Sequence, residues 1–168
     1  MTEKLLGLFR KSLDDKNRIV IPSELRKGLE KNLYAARWYE NSIALFEEDE
    51  YLEVAKEVHS EGSMDPDSRL VRQEFFGGAS MVSYDKQGRM MLPEHLMDIL
   101  LMNREKDRDL VIAGDWNKIL IHSGLRYDDR RASARVDYDD ALSRIERTAR
   151  DRKTGSIEGP KREEAVLS

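Results

Sequence analysis

Two short stretches of this chain place an aspartate four residues ahead of an arginine across a turn-forming pair. They are Asp14-Asp15-Lys16-Asn17-Arg18 and Asp85-Lys86-Gln87-Gly88-Arg89. A guanidinium in that position has two chemistries open to it. It can meet guanine O6 and N7, or a phosphate, with two N–H groups at once. Alternatively, it can close an internal ion pair over the turn, where the short carboxylates of Asp14 and Asp85 accept backbone N–H bonds. The aspartates are expected to structure the turns. Arg18 is expected to contact DNA, because Arg10, Lys11 and Lys16 cluster with it, whereas Arg89 has only Lys86 close by. Base-edge contacts from a few such arginines would carry specificity, with the lysines mainly on phosphate.

Other chemistry finds little support. The histidines His59, His95 and His122 stand in unrelated contexts without ligand spacing, and surface or edge positions are expected for His95 and His122. The adjacent carboxylates Asp14–Asp15, Asp128–Asp129 and Asp139–Asp140 diverge on either a strand or a helix, so they read as turns or caps. Neither a phosphate-binding G-x-x-x-x-G-K-S/T loop nor a G-x-S-x-G elbow is present. The chain has no cysteine, which excludes disulfides and thiolate metal sites. The expectation is a protein that is not an enzyme and needs no cofactor or metal.

The elements that position the two turns come as a repeat. GLFRKSLDDKNRIVIPSELRKGL (7–29) matches GASMVSYDKQGRMMLPEHLMDIL (78–100), each residue falling 71 positions after its counterpart. Gly7, Ser12, Asp14, Arg18, Pro22, Leu25 and Leu29 fall on Gly78, Ser83, Asp85, Arg89, Pro93, Leu96 and Leu100. In each copy a strand (8–13; 79–84) enters the turn and a second strand leaves it, Ile19-Val20-Ile21 or Met90-Met91-Leu92. Asn17 and Gly88 occupy the same turn position, and these are the residue types that best tolerate positive φ. Pro22 and Pro93 end the strands where a short helix can begin, with Leu25 and Leu29, or Leu96 and Leu100, as its buried stripe. A last strand closes each unit, around Ser42–Phe46 and around Leu110–His122 with a turn at Gly114–Asn117. One such unit is too small to bury a core, so the two should interlock, each completing the other's sheet. Between them a bridge of two helices is expected. One spans Glu47–Val58; the other opens at Ser63-Met64-Asp65-Pro66, with Asp65 as N-cap and Leu70, Val71 and Phe75 toward the core. The pairs Met90-Met91 and Phe75-Phe76 read as core.

The doubled motif, the connector SMDPDSRLVRQEFFGGAS and the ending VIAGDWNKILIHS resemble the MraZ family over roughly residues 7–126. Asn17 stands where that family usually has glycine in the first turn. The resemblance implies an α+β fold, a double swapped-hairpin AbrB-like barrel with bridging helices and a C-terminal tail that is helical or disordered. The units would be 8–51 and 79–125, with bridging helices over 52–78 and the tail over 126–168. It also implies a nucleoid-associated DNA-binding transcriptional regulator acting on the promoter of the division and cell-wall gene cluster. Its partners would be double-stranded DNA with short direct repeats and further copies of itself in a ring-like homo-oligomer. AbrB-like hairpins also occur in antitoxins, which makes a module gripping a partner protein through its tail the alternative.

Composition is compatible with this. The chain of 168 residues is 39% hydrophobic and 37% charged, with a formal net charge of −4. Net acidity argues against a generic nucleic-acid binder, but the charge is uneven. Residues 1–27 carry Lys4, Arg10, Lys11, Lys16, Arg18, Arg26 and Lys27, whereas residues 40–61 carry eight acidic side chains against Lys56 alone. No apolar run of signal-peptide or membrane-spanning length occurs, so a cytoplasmic protein without membrane contact is expected. From Tyr127 charge blocks alternate, and Tyr138, Leu142, Ile145 and Ala149 form a thin stripe at helical spacing that suits a solvated helix or an oligomer contact. TGSIEGPKREEAVLS reads as disordered.

Overall fold

The computed structural model describes residues 4–60, 64–133 and 138–154. Strand β1 (Leu8–Ser12) enters the first turn and β2 (Ile19–Val20) leaves it; β3 (Asn32–Trp38) and β4 (Ser42–Phe46) follow as a hairpin. Helices α1 (Glu48–Ser60) and α2 (Pro66–Gly77) make the bridge. The second copy then supplies β5 (Ser80–Ser83), β6 (Arg89–Met90), the short helix α3 (Glu94–Met97), β7 (Asp109–Gly114) and β8 (Lys118–Ser123). Helices α4 (Gly124–Ser133) and α5 (Tyr138–Thr154) complete the described chain.

The strands exchange between repeats. Six of them form one antiparallel sheet in the order β1-β7-β8-β4-β3-β5, so the first strand of each repeat lies on the hairpin of the other. Alternation along the strands sorts the side chains onto two faces. Leu33 and Ala35 of β3, Ile43 and Leu45 of β4, and Ile119 and Ile121 of β8 join one core with Ile19, Ile21, Met90 and Leu96. Ala36, Ala44 and Phe46 face the other way and pack with Tyr51 of α1 and Phe75 of α2. The bridging helices thus cover one face, and β2, β6 and α3 cover the other.

The expected barrel does not close. Among the described residues the six-stranded sheet is open, ending on β1 and β5, while β2 and β6 form a separate two-stranded ribbon that meets the chain beyond β5 only through a Tyr84–Met90 bridge. Pro22 and Pro93 stand two residues beyond β2 and three beyond β6, where a proline donates no N–H to continue a ladder. The mixed α+β class with a mostly antiparallel sheet holds.

Several local expectations change. Asn32–Trp38 is a full strand that is not among the expected elements, its signal weakened by the mixed run LYAARW. After Pro22 only a 3₁₀ turn forms, Ser23–Leu25, and Leu29 is half-buried. Asp65 does cap α2, accepting from the Ser68 N–H at 2.9 Å; Ser63 lies outside the described residues. Of the three residues expected to face inward from α2, only Phe75 does, while Leu70 and Val71 are 58% and 55% exposed. The doublets split: Met90 and Phe75 are core, whereas Met91 and Phe76 are exposed.

The chain divides into two compact units, one through Asp129 and one from Arg130. The first unit keeps the opening turns of α4 through an Arg10–Asp128 ion pair and a His122–Tyr127 ring contact. In the second unit α5 is helical with no buried residue. The run expected to be disordered lies, beyond Thr154, outside the described residues.

Candidate nucleic-acid interface

The two turns have the same construction. In the first, the Asp14 N–H donates to the Arg18 carbonyl at 3.0 Å and the Asn17 N–H donates to the Asp14 carbonyl at 3.0 Å. One oxygen of the Asp14 carboxylate accepts from the Lys16 and Arg18 backbone N–H groups at 2.9 and 2.8 Å. The other oxygen accepts from the Arg18 Nε at 2.6 Å. The second turn repeats each of these bonds. Asp85 takes the Gln87 and Arg89 N–H groups at 2.9 and 3.0 Å and the Arg89 Nε at 2.7 Å. Asn17 and Gly88 adopt positive φ, 57° and 82°, as their residue types foretold.

This geometry realises the internal ion pair, the second of the two chemistries open to the arginines. The Nε edge is spent on the aspartate, which fixes the plane of the guanidinium. The Nη groups of Arg18 and Arg89 have no partner among the described residues. Partial burial alone would raise the Asp14 pKa, but the Arg18 backbone N–H, its guanidinium and the Lys16 N–H outweigh that and hold the carboxyl below its ordinary value. For Asp85 the Arg89 backbone bond is the largest influence, and its carboxyl is likewise lowered.

The β2–β6 ribbon then decides where the arginines point. Ile19 pairs with Met90 and Val20 with Arg89, and the ladder runs on through the Ile21 N–H to the Gly88 carbonyl at 2.8 Å. Ile19, Ile21, Met90 and Leu92 face the core, so the alternate positions Arg18, Val20, Arg89 and Met91 face outward. Arg18 and Arg89 are therefore diagonal neighbours on one outward face, with Cα atoms about 7–8 Å apart. The ribbon register sets the two turns at opposite ends of this face.

Each turn is also gripped from elsewhere. Arg26 donates through Nε to the Ile21 carbonyl and through Nη1 to the Lys86 carbonyl of the second turn, both at 3.1 Å. Arg108 donates to the backbone carbonyl of Asp14 and, at 3.1 Å, to the Asn17 side-chain carbonyl. Sequence reasoning missed both residues. Arg26 aligns with Met97 in the repeat, and Arg108 stands far along the chain from the turn it holds.

Lys11, Lys16 and Lys86 are exposed beside the ribbon or its turns. The Glu24 carboxyl is held low by its own backbone N–H, then by Ser23, with smaller contributions from Lys11 and Lys27. Arg10 is engaged by Asp128 through two hydrogen bonds, one of them at 3.0 Å. His95 is exposed and its Nε2 lies 3.0 Å from the Gly78 carbonyl. His122 is buried within β8 at 7% exposure, against the surface or edge position expected of it, because the alternation of β8 turns it under Tyr127.

The family model "MraZ protein, putative antitoxin-like" matches the chain twice, over residues 5–74 and 75–150. The "Transcriptional regulator MraZ" of Natranaerobius thermophilus is 31% identical over 140 residues, covering 83% of this chain and 95% of the relative. A protein of the same name from Mesomycoplasma hyopneumoniae is 33% identical over 124 residues, 74% of this chain and 82% of its own. Another, from Syntrophomonas wolfei, is 31% identical over 140 residues, 83% and 95%.

Proposed function

The chain belongs to the MraZ family, and from that premise we propose that it is a transcriptional regulator that reads double-stranded DNA with the outward face of the β2–β6 ribbon. The observation that carries this is the placement of Arg18 and Arg89 as diagonal neighbours on that face. Each guanidinium is oriented by its own aspartate and keeps its outer N–H groups available. Oriented forks of this kind suit guanine O6 and N7, and the neighbouring exposed Met91 suits a thymine methyl. Lys11, Lys16 and Lys86 meet phosphates around them. Arg10 contributes little directly while Asp128 holds it. No enzymatic role is assigned.

In this reading the protein works in the cytoplasm on the nucleoid, and the family resemblance points to the promoter of the division and cell-wall gene cluster. No helix among the described residues is long and apolar enough to cross a membrane. Each chain presents two unequal arginine turns, and a ring-like homo-oligomer presents many. Linked tips make each further contact intramolecular, which raises apparent affinity about 10²–10⁴-fold when the sites are spaced to match. A gel-shift series on DNA with one, two and three short direct repeats tests this. Three repeats should bind far more tightly than one, and half a helical turn inserted between repeats should weaken binding. Equal binding of one and three repeats would refute the multivalent reading.

A further inference from the structure

On the face of the sheet away from the ribbon, α1 and α2 leave a groove of about 520 Å³. Trp38, Val54, Val58, Leu70, Val71 and Phe75 line it, with Tyr39 at its mouth. Its floor is firm, because Phe75 stacks on Tyr51 at 5.4 Å and Tyr51 on Tyr34 at 4.6 Å. Leu70 and Val71 are the inward-facing positions expected of α2, yet more than half of each is open to solvent. Glu57 stands on the rim, with Asp67 close to it and to Val71, while Glu74 is paired at 2.8 Å with Arg37, which also lines the groove.

The same chain carries a helix with the opposite need. Along α5, Tyr138, Leu142, Ile145 and Ala149 form one apolar stripe, and the three large side chains are 76%, 40% and 66% exposed. None of its 17 residues is buried, although helices in proteins draw most of their stability from packing an apolar face. At helical spacing Arg152 and Lys153 flank the C-terminal end of that stripe, one on each side, with Glu146 on the Lys153 side. The groove is apolar with an acidic corner at Glu57 and Asp67; the stripe is apolar with basic residues at its C-terminal end.

We infer that α5 of one copy docks into the α1–α2 groove of a second copy, with Ile145 and Leu142 covering Leu70 and Val71 and the basic end meeting Glu57 and Asp67. The contact links copies through a face remote from the ribbon, so self-association leaves the arginine turns open. This rests on the homo-oligomer proposed above.

The chain has no cysteine of its own, which makes cross-linking clean. Full-length Val71→Cys and Ile145→Cys proteins are mixed in equal amounts without DNA and oxidised mildly, and the link is identified by mass spectrometry. A 71–145 bond between chains should form at least about tenfold faster than one between Ile145→Cys and a Lys106→Cys control, since docking raises the local thiol concentration. Adding Glu57→Arg to the groove chain should slow it, and adding Arg152→Glu to the helix chain should restore the rate. A rate equal to the control overturns the docking. In a companion protein carrying both cysteines, a link that forms only within one chain overturns it as well. Sedimentation of the unmodified protein separates the two readings: an oligomer without the 71–145 link overturns the docking alone, and a monomer overturns both.

Discussion

Arg108 donates to the side-chain carbonyl of Asn17 at 3.1 Å, across 91 residues of sequence, at a position where the backbone is left-handed with φ 57°. This explains why asparagine can stand where the matching turn has Gly88. Asparagine tolerates the conformation and also supplies an acceptor. Asn17→Gly should keep the turn while losing the Arg108 contact, and its stability should stay within about 1 kcal/mol of the parent. Asn17→Val should lose a further 1–2 kcal/mol or so, because a β-branched residue is strained at positive φ. Urea unfolding of both variants decides it; equal stability would show that the turn does not require positive φ.

Gly88 has less freedom than Asn17. At φ 82° a Cβ there would stand 2.6 Å from the Ile21 carbonyl oxygen and 2.8 Å from the Arg26 Nε. The carbonyl belongs to backbone held in the ribbon and cannot retreat cheaply. Gly88→Ala should therefore cost roughly 1–3 kcal/mol and should loosen the Arg26 clasp. An alanine variant with the parent's denaturation midpoint would show that the ribbon yields at this point.

Acid should act through the two turn carboxylates. Asp14 and Asp85 both titrate below their ordinary value when folded. A depressed carboxylate contributes stability that is present above its unfolded pKa, about 3.9, and is lost as pH falls toward the folded value. Their contribution should be level from pH 5 to 7 and decline below about pH 4. Asp14→Asn with Asp85→Asn should melt lower at neutral pH and lose less on acidification. Parallel melting curves against pH for parent and double variant would remove these aspartates from the acid response.

Much of this was legible in the sequence because the repeat is written twice. Asp14/Asp85, Asn17/Gly88 and Pro22/Pro93 fixed both turns and the ends of the ribbon strands, and Asp65-Pro66 fixed the start of α2. Three kinds of feature were not legible. The open sheet depends on where β1 and β5 find partners, which is a long-range outcome. The strand Asn32–Trp38 lacks a clean alternation because both of its faces are covered. Arg26 and Arg108 act on turns far from them in sequence and break the repeat symmetry, so internal comparison could not reveal them.

Salt should matter strongly. A chain of net charge −4 can hold DNA only through a localised basic face. With about four to six phosphate contacts, log K should fall against log salt with a slope of roughly −4 to −5. Fluorescence anisotropy across a salt series measures this; a flat response would exclude phosphate contacts as the main source of affinity.

The most direct measurement concerns Arg18 and Arg89 themselves. Alanine would free the paired aspartates and disturb the turns, so lysine is the informative replacement. It keeps a positive charge beside Asp14 or Asp85 but lacks the planar fork that reads a base edge. Specific and non-specific DNA binding of Arg18→Lys, Arg89→Lys and the double variant should be compared with their melting temperatures. The expected result is near-parental melting and non-specific binding, with specific affinity reduced about 5- to 150-fold per site, the range for loss of a bidentate base contact. Unchanged specific binding by the double variant, with the fold intact, would contradict the ribbon face as the DNA reader.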